Sequence, residues 1–175
     1  MLNRFFKQQS GAAAVEFAFI APIMLMMYFG IAELTQGMMA DRRAAHVAST
    51  IGDLVAQEAQ INQARIDDVF TVGQAIIAPF PTSSLSMRVT SIKTDKFGTA
   101  TVAWSKVSGA GFSAMTGTVV GLPAGLLGNS DSVIMAESKY VYTSAIQKTV
   151  TSPITLGQKS YLKPRKGTEV VWSAT

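Results

Sequence analysis

The chain contains no cysteine and a single histidine, His46. The absence of cysteine excludes disulfide bonds, thiolate metal sites and cysteine nucleophiles, and one histidine excludes a multi-histidine metal site. The sequence also lacks G-x-S-x-G, H-E-x-x-H and a phosphate-binding loop, which are the local signatures of common catalytic and nucleotide-binding sites. We therefore expect a protein that is not an enzyme and that has no metal site, no cofactor and no small-molecule substrate.

Charged residues are also sparse, at 15% of the chain. The formal net charge is +4, and two of the basic residues, Arg4 and Lys7, precede residue 11. Because no basic stripe is interleaved with aromatic residues, we expect no nucleic-acid binding. A later basic cluster, Lys163, Arg165 and Lys166, is interpreted as solvated surface, where charged side chains usually lie.

What the sequence does have is a long apolar run. From Gly11 to Ala32 only Glu16 is charged. As a helix, this run would span roughly 33 Å at about 1.5 Å per residue, enough to cross a bilayer core of about 30 Å. We predict a transmembrane helix over residues 12–32. A carboxylate inside hydrocarbon costs roughly 2–4 kcal/mol on insertion scales, so Glu16 is expected to have a partner and a function.

The start of the apolar run resembles the processing site of type IV prepilins. A short polar leader with Arg4 and Lys7 precedes Gly11, and Glu16 is the fifth residue after that glycine. In such prepilins an aspartic peptidase cuts after the glycine on the cytoplasmic side and leaves the apolar segment on the mature protein. A glycine has no side chain to obstruct a cut at the membrane surface. The resemblance implies a leader over residues 1–11 and cleavage between Gly11 and Ala12.

A cleaved secretory signal is the alternative. Gly30 and Ala32 could serve as its small-residue pair, with cleavage before Glu33. The order of segments favours the prepilin interpretation, because the alanines at 12–14 precede the apolar core instead of following it. Glu16 would also stand where the apolar core of a signal peptide begins.

The charges that flank the apolar run do not decide its orientation. Arg42 and Arg43 follow the run much as Arg4 and Lys7 precede it, and the positive-inside rule counts both flanks. Long domains translocate largely regardless of their charge. We therefore expect the domain after the helix to be extracytoplasmic.

Helical periodicity continues beyond the apolar run, and we assign residues 33–81 to extramembrane helices. Apolar residues at three- and four-residue spacing predict that the first helix runs towards Ala56. Asn62 is predicted to cap a second helix that extends to Ala78 and is ended by Pro79 and Pro81. The two apolar stripes are Ala44, Val47, Ala48, Ile51, Leu54 and Val55, and then Ile66, Val69, Phe70, Gly73, Ile76 and Ile77.

The pattern then changes to that of a β-rich domain over residues 82–175. Alternation predicts a hairpin of strands 85–93 and 99–107. Leu85, Met87 and Val89 are expected on one face of the first strand, and Val102 and Trp104 on one face of the second. Residues 109–128 read as an irregular excursion because they are rich in glycine, serine and threonine. A further strand is predicted over 133–143.

These segments predict an α+β fold. A long N-terminal transmembrane helix would continue into an extracytoplasmic domain in which a second helix packs on a small antiparallel sheet. Each amphipathic element has one apolar face to bury, so the helices and the sheet should share a core.

The order of segments resembles the TadE-like family, the minor pseudopilins of the tight-adherence (Flp-type) pilus system. The resembling stretches are GAAAVEFAFIAPIMLMMYFGIAEL at 11–34, SIKTDKFGTATVAWSKV at 91–107, LPAGL at 122–126, and KYVY with the later KPR within 139–165. The resemblance implies a structural, non-enzymatic component of an adhesive surface pilus. It also implies a single-pass protein of the bacterial inner membrane, with a periplasmic C-terminal domain and association with the pilus.

The expected partners follow from the same resemblance. They are the inner membrane, a prepilin peptidase, other Tad pilins and pseudopilins, and the pilus assembly proteins. In pilins, a glutamate equivalent to Glu16 is thought to guide assembly by pairing with the new terminal amine, here that of Ala12. The alternative is a TadG-like protein, a permanently anchored extracytoplasmic interaction domain that is not incorporated in a filament.

Overall fold

The computed structural model describes residues 10–147 and 150–174. The predicted leader therefore lies outside the described residues, apart from its last two positions. Contacts divide the chain into two compact units, Met1–Met38 with Thr143–Pro153, and Met39–Tyr142 with Ile154–Thr175. The elements in chain order are α1 Ser10–Ala56, β1 Gln60–Ile61, α2 Gln63–Ile76, a 3₁₀ turn Thr82–Ser84, β2 Leu85–Thr94, β3 Ala100–Ser108, β4 Ser132–Tyr142, β5 Ile154–Leu162 and β6 Val171–Trp172.

Helix α1 has 47 residues and includes Pro22 without a break. It is long and apolar enough to cross a membrane, and none of its most apolar window is buried. Its C-terminal part belongs to the second unit and is amphipathic. There the predicted stripe is covered, with Val47, Ile51 and Val55 fully buried. The long helix predicted from the sequence is confirmed, including its end at Ala56.

Helix α2 begins where the sequence predicts. The side chain of Asn62 accepts a hydrogen bond from the backbone N–H of Arg65 at 3.0 Å, which satisfies one of the free N–H groups of the first turn. The helix ends at Ile76, two residues before the predicted end at Ala78. Its apolar stripe faces the core, since Ile66, Val69 and Phe70 are buried.

The main sheet has four antiparallel strands in the order β3-β2-β4-β5. It confirms the predicted hairpin and the strand near 133–143, and it adds β5 as an edge strand. Strands β1 and β6 form a separate parallel pair. The predicted α+β class is confirmed.

A β-bulge in β3 places Val102 and Trp104 on different faces of the sheet. The register shifts between Ser91 and Ile92, so Trp104 lies opposite Ser91 whereas Val102 lies opposite Ile92. Ala103 is the extra residue on β3. Because one inserted residue reverses the alternation of a strand, Val102 and Trp104 point to opposite faces. The expectation that they share a face is wrong.

The sheet has an apolar cluster on each face of its central strands. The inner face packs against α1 and α2 and contributes Met87, Val89, Ile134 and Ala136 to the main core. The outer face carries a smaller cluster that is covered by the irregular excursion. Its members are Ile92, Val133 and Met135, with the partly buried Ala100, Met115, Val119, Leu122, Leu126, Leu127 and Tyr161.

Candidate functional site

The predicted processing residues lie in the first two turns of α1. Gly11, Ala12 and Glu16 are all exposed, and residues four apart lie on the same helix face. A Cβ atom built on Gly11 would meet no other atom within 4 Å. Packing in the described chain therefore does not require glycine at this position. The three residues therefore lie close together on the first two turns of α1. Their roles in processing and assembly stay predictions.

The surface of α1 that follows is apolar on all sides. Phe19, for example, is 73% exposed and Met26 is 67% exposed. A helix that is apolar all round is normally buried in a protein core or in a membrane. The large exposed side chains of this surface are Val15, Phe17, Phe19, Ile20, Ile23, Met24, Leu25, Met26, Met27, Tyr28, Phe29, Ile31 and Leu34.

A buried carboxylate follows this apolar surface. Glu33 is 1% exposed. Its Oε1 accepts a hydrogen bond from the Ser144 hydroxyl at 2.9 Å, and its Oε2 accepts one from the backbone N–H of Val150 at 2.8 Å. All three residues belong to the first compact unit. Glu33 therefore holds the connection between β4 and β5 against α1.

Ser144 also organises the turn that follows it. Its Oγ accepts hydrogen bonds from the backbone N–H groups of Ile146 at 3.2 Å and Gln147 at 3.3 Å. A hydroxyl that bonds the N–H groups two and three residues ahead is a common turn-forming arrangement. Sequence reasoning assigned no role to Glu33 in the fold. The polar turn sequence after β4 is the one signal that could have indicated a partner for it.

Glu33 also marks the alternative cleavage site considered from the sequence. That site, before Glu33, lies inside α1, which continues without interruption from Gly30 to Ala56. The structure therefore has no helix end at the point where a cleaved signal peptide would end.

A second buried carboxylate, Glu137, lies on the outer face of the sheet. It pairs with the Arg88 guanidinium, whose Nε donates at 2.6 Å, and with the Lys159 ammonium at 3.0 Å. Phe112, from the irregular excursion, stacks on Arg88 with the guanidinium carbon 4.7 Å from the ring centre. Two cations compensate the buried charge, and this cluster fastens the excursion to the sheet.

The basic cluster near the C-terminus is partly engaged in ion pairs. The Lys163 ammonium lies 2.6 Å from a carboxylate oxygen of Asp131, and Arg165 pairs with Asp53. The side chains of Lys163 and Arg165 remain 61% exposed, in agreement with a solvated surface. The hydrogen bond from Lys163, followed by that from the Ser132 N–H, holds the pKa of Asp131 below its usual value.

Three open cavities differ in their lining, and two of them include charged side chains, Arg65 in one and Lys93 with Glu169 in the other. One open cavity of about 340 Å³ is lined by threonine, glycine and apolar side chains near the hairpin loop, and no charged or histidine side chain lines it. Within residues 10–147 and 150–174, no group of three or more histidine, cysteine, aspartate and glutamate residues is arranged to hold a metal ion. The distinctive surface of the molecule is thus the apolar one on α1.

Comparison with known proteins locates the similarity in this same helix. Residues 11–52 match the family model described as TadE-like protein. The match begins at Gly11, includes Glu16 and Glu33, and ends within the buried stripe of α1. It confirms the resemblance predicted from the sequence over that range. No curated protein and no solved structure matches the chain.

Proposed function

We propose that this chain, which is TadE-like over residues 11–52, is a minor pseudopilin of a Tad (Flp-type) pilus system. It is anchored in the bacterial inner membrane by the apolar part of α1, with its α+β domain in the periplasm. Its role is structural and not enzymatic. It works with other Tad pilins and pseudopilins and with the pilus assembly proteins, and it associates with the pilus.

The observation that carries this proposal is the exposed apolar surface between Val15 and Leu34, inside the family match. Fully burying one large apolar side chain is worth roughly 1.5–3 kcal/mol. A dozen such side chains left in water would therefore be strongly unfavourable. A bilayer, or the helical core of a filament, would cover this surface, and a pseudopilin is expected to occupy both environments in turn.

Processing after Gly11 is the second part of the proposal. A prepilin peptidase would remove residues 1–11 and leave Ala12 as the new N-terminus. Because a Cβ atom on Gly11 meets nothing within 4 Å, a larger residue there should leave the folded domain unchanged. Any effect of the substitution should therefore arise at the peptidase, where the glycine lets the backbone approach closely.

The test is mass spectrometry of the N-terminus of the protein purified from membranes of cells that carry the pilus system. We expect the native chain to begin at Ala12 and the Gly11→Phe variant to begin at Met1. Ala18→Phe is the matched control, since it adds the same side chain to another exposed position of α1, and it should be cleaved normally.

The possible N-termini separate the proposals. A native chain that begins at Met1 would favour the permanently anchored, TadG-like alternative, and a chain that begins at Glu33 would indicate a secretory signal. Normal maturation of Gly11→Phe would remove the main support for prepilin-type processing.

A further inference from the structure

One side of α1 becomes covered at Glu33. The large side chains from Val15 to Tyr28 are exposed, whereas Glu33 is 1% exposed; its neighbours Ile31 and Leu34 remain 62% and 63% exposed, so the covering is confined to one side of the helix. The length from Ala12 to Ala32 is roughly 31 Å at about 1.5 Å per residue, close to the bilayer core of about 30 Å. A helix inserted from Ala12 would thus leave the hydrocarbon at the turn where protein begins to cover it.

An aromatic pair lies at the same height. Tyr28 is 68% exposed, and its ring packs edge-on against that of Phe29 with the ring centres 5.7 Å apart. Tyrosine is enriched at membrane interfaces, where its ring lies in the apolar region and its hydroxyl reaches the headgroups. The position of Tyr28, one turn before Glu33, independently places the membrane boundary near this turn.

The connection between β4 and β5 covers α1 at this height. We use the name collar for its described stretches, residues 143–147 and 150–153. No residue of these two stretches is charged, and Lys148 lies between them in the sequence. The exposed side chains of the collar are small or polar. They are Thr143, Ala145, Gln147, Thr151, Ser152 and Pro153.

We propose that the collar is a lipid-binding surface that lies against the phospholipid headgroups where α1 leaves the bilayer. The inference rests on the membrane anchor of the proposed function. The choice of lipid as the partner follows from continuity, because the collar adjoins the end of the membrane-spanning surface in the same compact unit. Hydroxyl and amide groups can hydrogen-bond the phosphate and glycerol oxygens of the headgroups.

Glu33 is the positioning residue of this surface. Both of its carboxylate oxygens hold the collar, one through the Ser144 hydroxyl and the other through the Val150 N–H. Hydrogen bonds to a charged group are stronger than those between neutral groups. The collar is thereby fixed at one height on α1, and this height sets how deeply the helix can enter the membrane.

Fluorescence quenching in vesicles tests the proposal. The chain has no native cysteine, so the full-length protein can carry one fluorophore at a time on Ala145→Cys, Ala18→Cys or Asp67→Cys. Vesicles of phosphatidylethanolamine and phosphatidylglycerol would contain nitroxide lipids labelled either at the headgroup or deep in the acyl chain. We expect position 145 to be quenched by the headgroup nitroxide, position 18 by the acyl-chain nitroxide, and position 67 by neither.

Variants then test the role of Glu33. Removing the carboxylate removes both hydrogen bonds that hold the collar, so we expect Glu33→Ala to lose at least about half of the headgroup quenching at position 145. Ser144→Ala removes one of these bonds and should give an intermediate loss. Glu58→Ala, which removes a half-buried carboxylate that pairs with Arg65 in the other unit, is the control and should leave the quenching at position 145 unchanged. Emission from the two tryptophans, Trp104 and Trp172, whose ring centres lie 5.8 Å apart in that unit, confirms that each variant is folded.

The outcomes separate this inference from the membrane anchor. Deep quenching at position 18 without headgroup quenching at position 145 would overturn the collar and leave the anchor intact. Absence of quenching at position 18 would overturn both the membrane anchor and the lipid-binding collar. Full headgroup quenching at position 145 in both Glu33→Ala and Ser144→Ala would refute the role of Glu33 in positioning the collar.

Discussion

Three glutamates of this chain differ in how their charge is compensated. Glu137 is buried between Arg88 and Lys159, and Glu33 is held by neutral donors from the β4–β5 connection. Glu16 is exposed on the apolar surface of α1, and within residues 10–147 and 150–174 it forms no ion pair. A charge in apolar surroundings is costly unless it is paired. If this surface is in a membrane, we expect the partner of Glu16 to come from cleavage or from another molecule.

Glu16→Ala tests that partner. Cleavage would create a terminal amine at Ala12, four residues away on the same helix face, and this amine could pair with Glu16 of its own or a neighbouring subunit. An attraction of only about 1.4 kcal/mol is worth tenfold in an assembly equilibrium. We expect the variant to be inserted in the membrane and cleaved, yet to form at least about tenfold fewer pili on this basis. Electron microscopy of shed filaments measures the yield.

Glu58→Ala is the control for pilus formation, because it removes a carboxylate that lies outside the apolar surface. Normal pilus numbers in Glu16→Ala would contradict the pairing and leave Glu16 as a residue of the membrane boundary.

At the scale of elements, the approach of α1 to the sheet depends on a glycine. A Cβ atom on Gly52 would lie 2.5 Å from Cδ1 of Leu162 and 3.0 Å from Cβ of Ala136. Leu162 can rotate away, but the β-carbon of Ala136 is fixed to a central strand. Gly52 therefore sets the distance between the helix and strands β4 and β5.

Gly52→Ala should be destabilising although alanine is the better helix former. Overpacking a core costs typically about 1–3 kcal/mol, whereas alanine recovers about 1 kcal/mol of helix propensity. We expect a net loss of up to about 2 kcal/mol in the free energy of unfolding from these two terms. Urea unfolding in detergent micelles, followed by the emission of Trp104 and Trp172, measures the loss. Ser49→Ala, on the exposed face of the same helix, should be neutral or slightly stabilising. A more stable Gly52→Ala would contradict the close approach.

The elements that the sequence predicted correctly carry strong local periodicity. The stripes of α1 and α2 and the alternation in β2 and β4 identify each element without knowledge of the others. Strand β5 (ITLGQKSYL) has no such pattern, because it is an edge strand with few large apolar residues. The parallel pair of β1 and β6 has two residues in each strand, so it depends on tertiary contacts. The bulge at Ala103 is likewise set by pairing with β2.

The sequence also did not predict which segment covers the outer face of the sheet. Glycine, serine and threonine in residues 109–128 correctly indicated irregular structure. The apolar residues within that segment, such as Val119 and Leu122, nevertheless pack against Ile92 and Met135. An irregular backbone gives no periodicity from which a buried face could be recognised.

For the whole molecule, the candidate site has two parts. One is formed by residues that are close in the sequence, and the other by residues that are far apart in the sequence. Gly11, Ala12 and Glu16 were predicted because their spacing and the apolar run lie in one continuous stretch. The bond between Glu33 and Ser144 joins residues 111 positions apart, and no local pattern could reveal it. Helix α1 is common to both parts, which lie near the two ends of the apolar run from Gly11 to Ala32.

The orientation of the molecule in the membrane is the remaining prediction at this scale. Asp67 lies exposed on α2, in the domain expected in the periplasm because long domains translocate largely regardless of charge. In spheroplasts, we expect a membrane-impermeant maleimide to label Asp67→Cys fully before the inner membrane is permeabilised. Arg4→Cys, placed in the Gly11→Phe variant so that the leader is retained, should be labelled only after permeabilisation.

The lack of native cysteine makes each signal specific to the introduced site. The reverse pattern would place the domain in the cytoplasm, on the side where a prepilin peptidase cuts. The basic pair Arg42 and Arg43 would then have outweighed Arg4 and Lys7 as the positive-inside signal. Labelling of both sites before permeabilisation would mean that α1 does not span the membrane, and the proposed anchor would have to be abandoned.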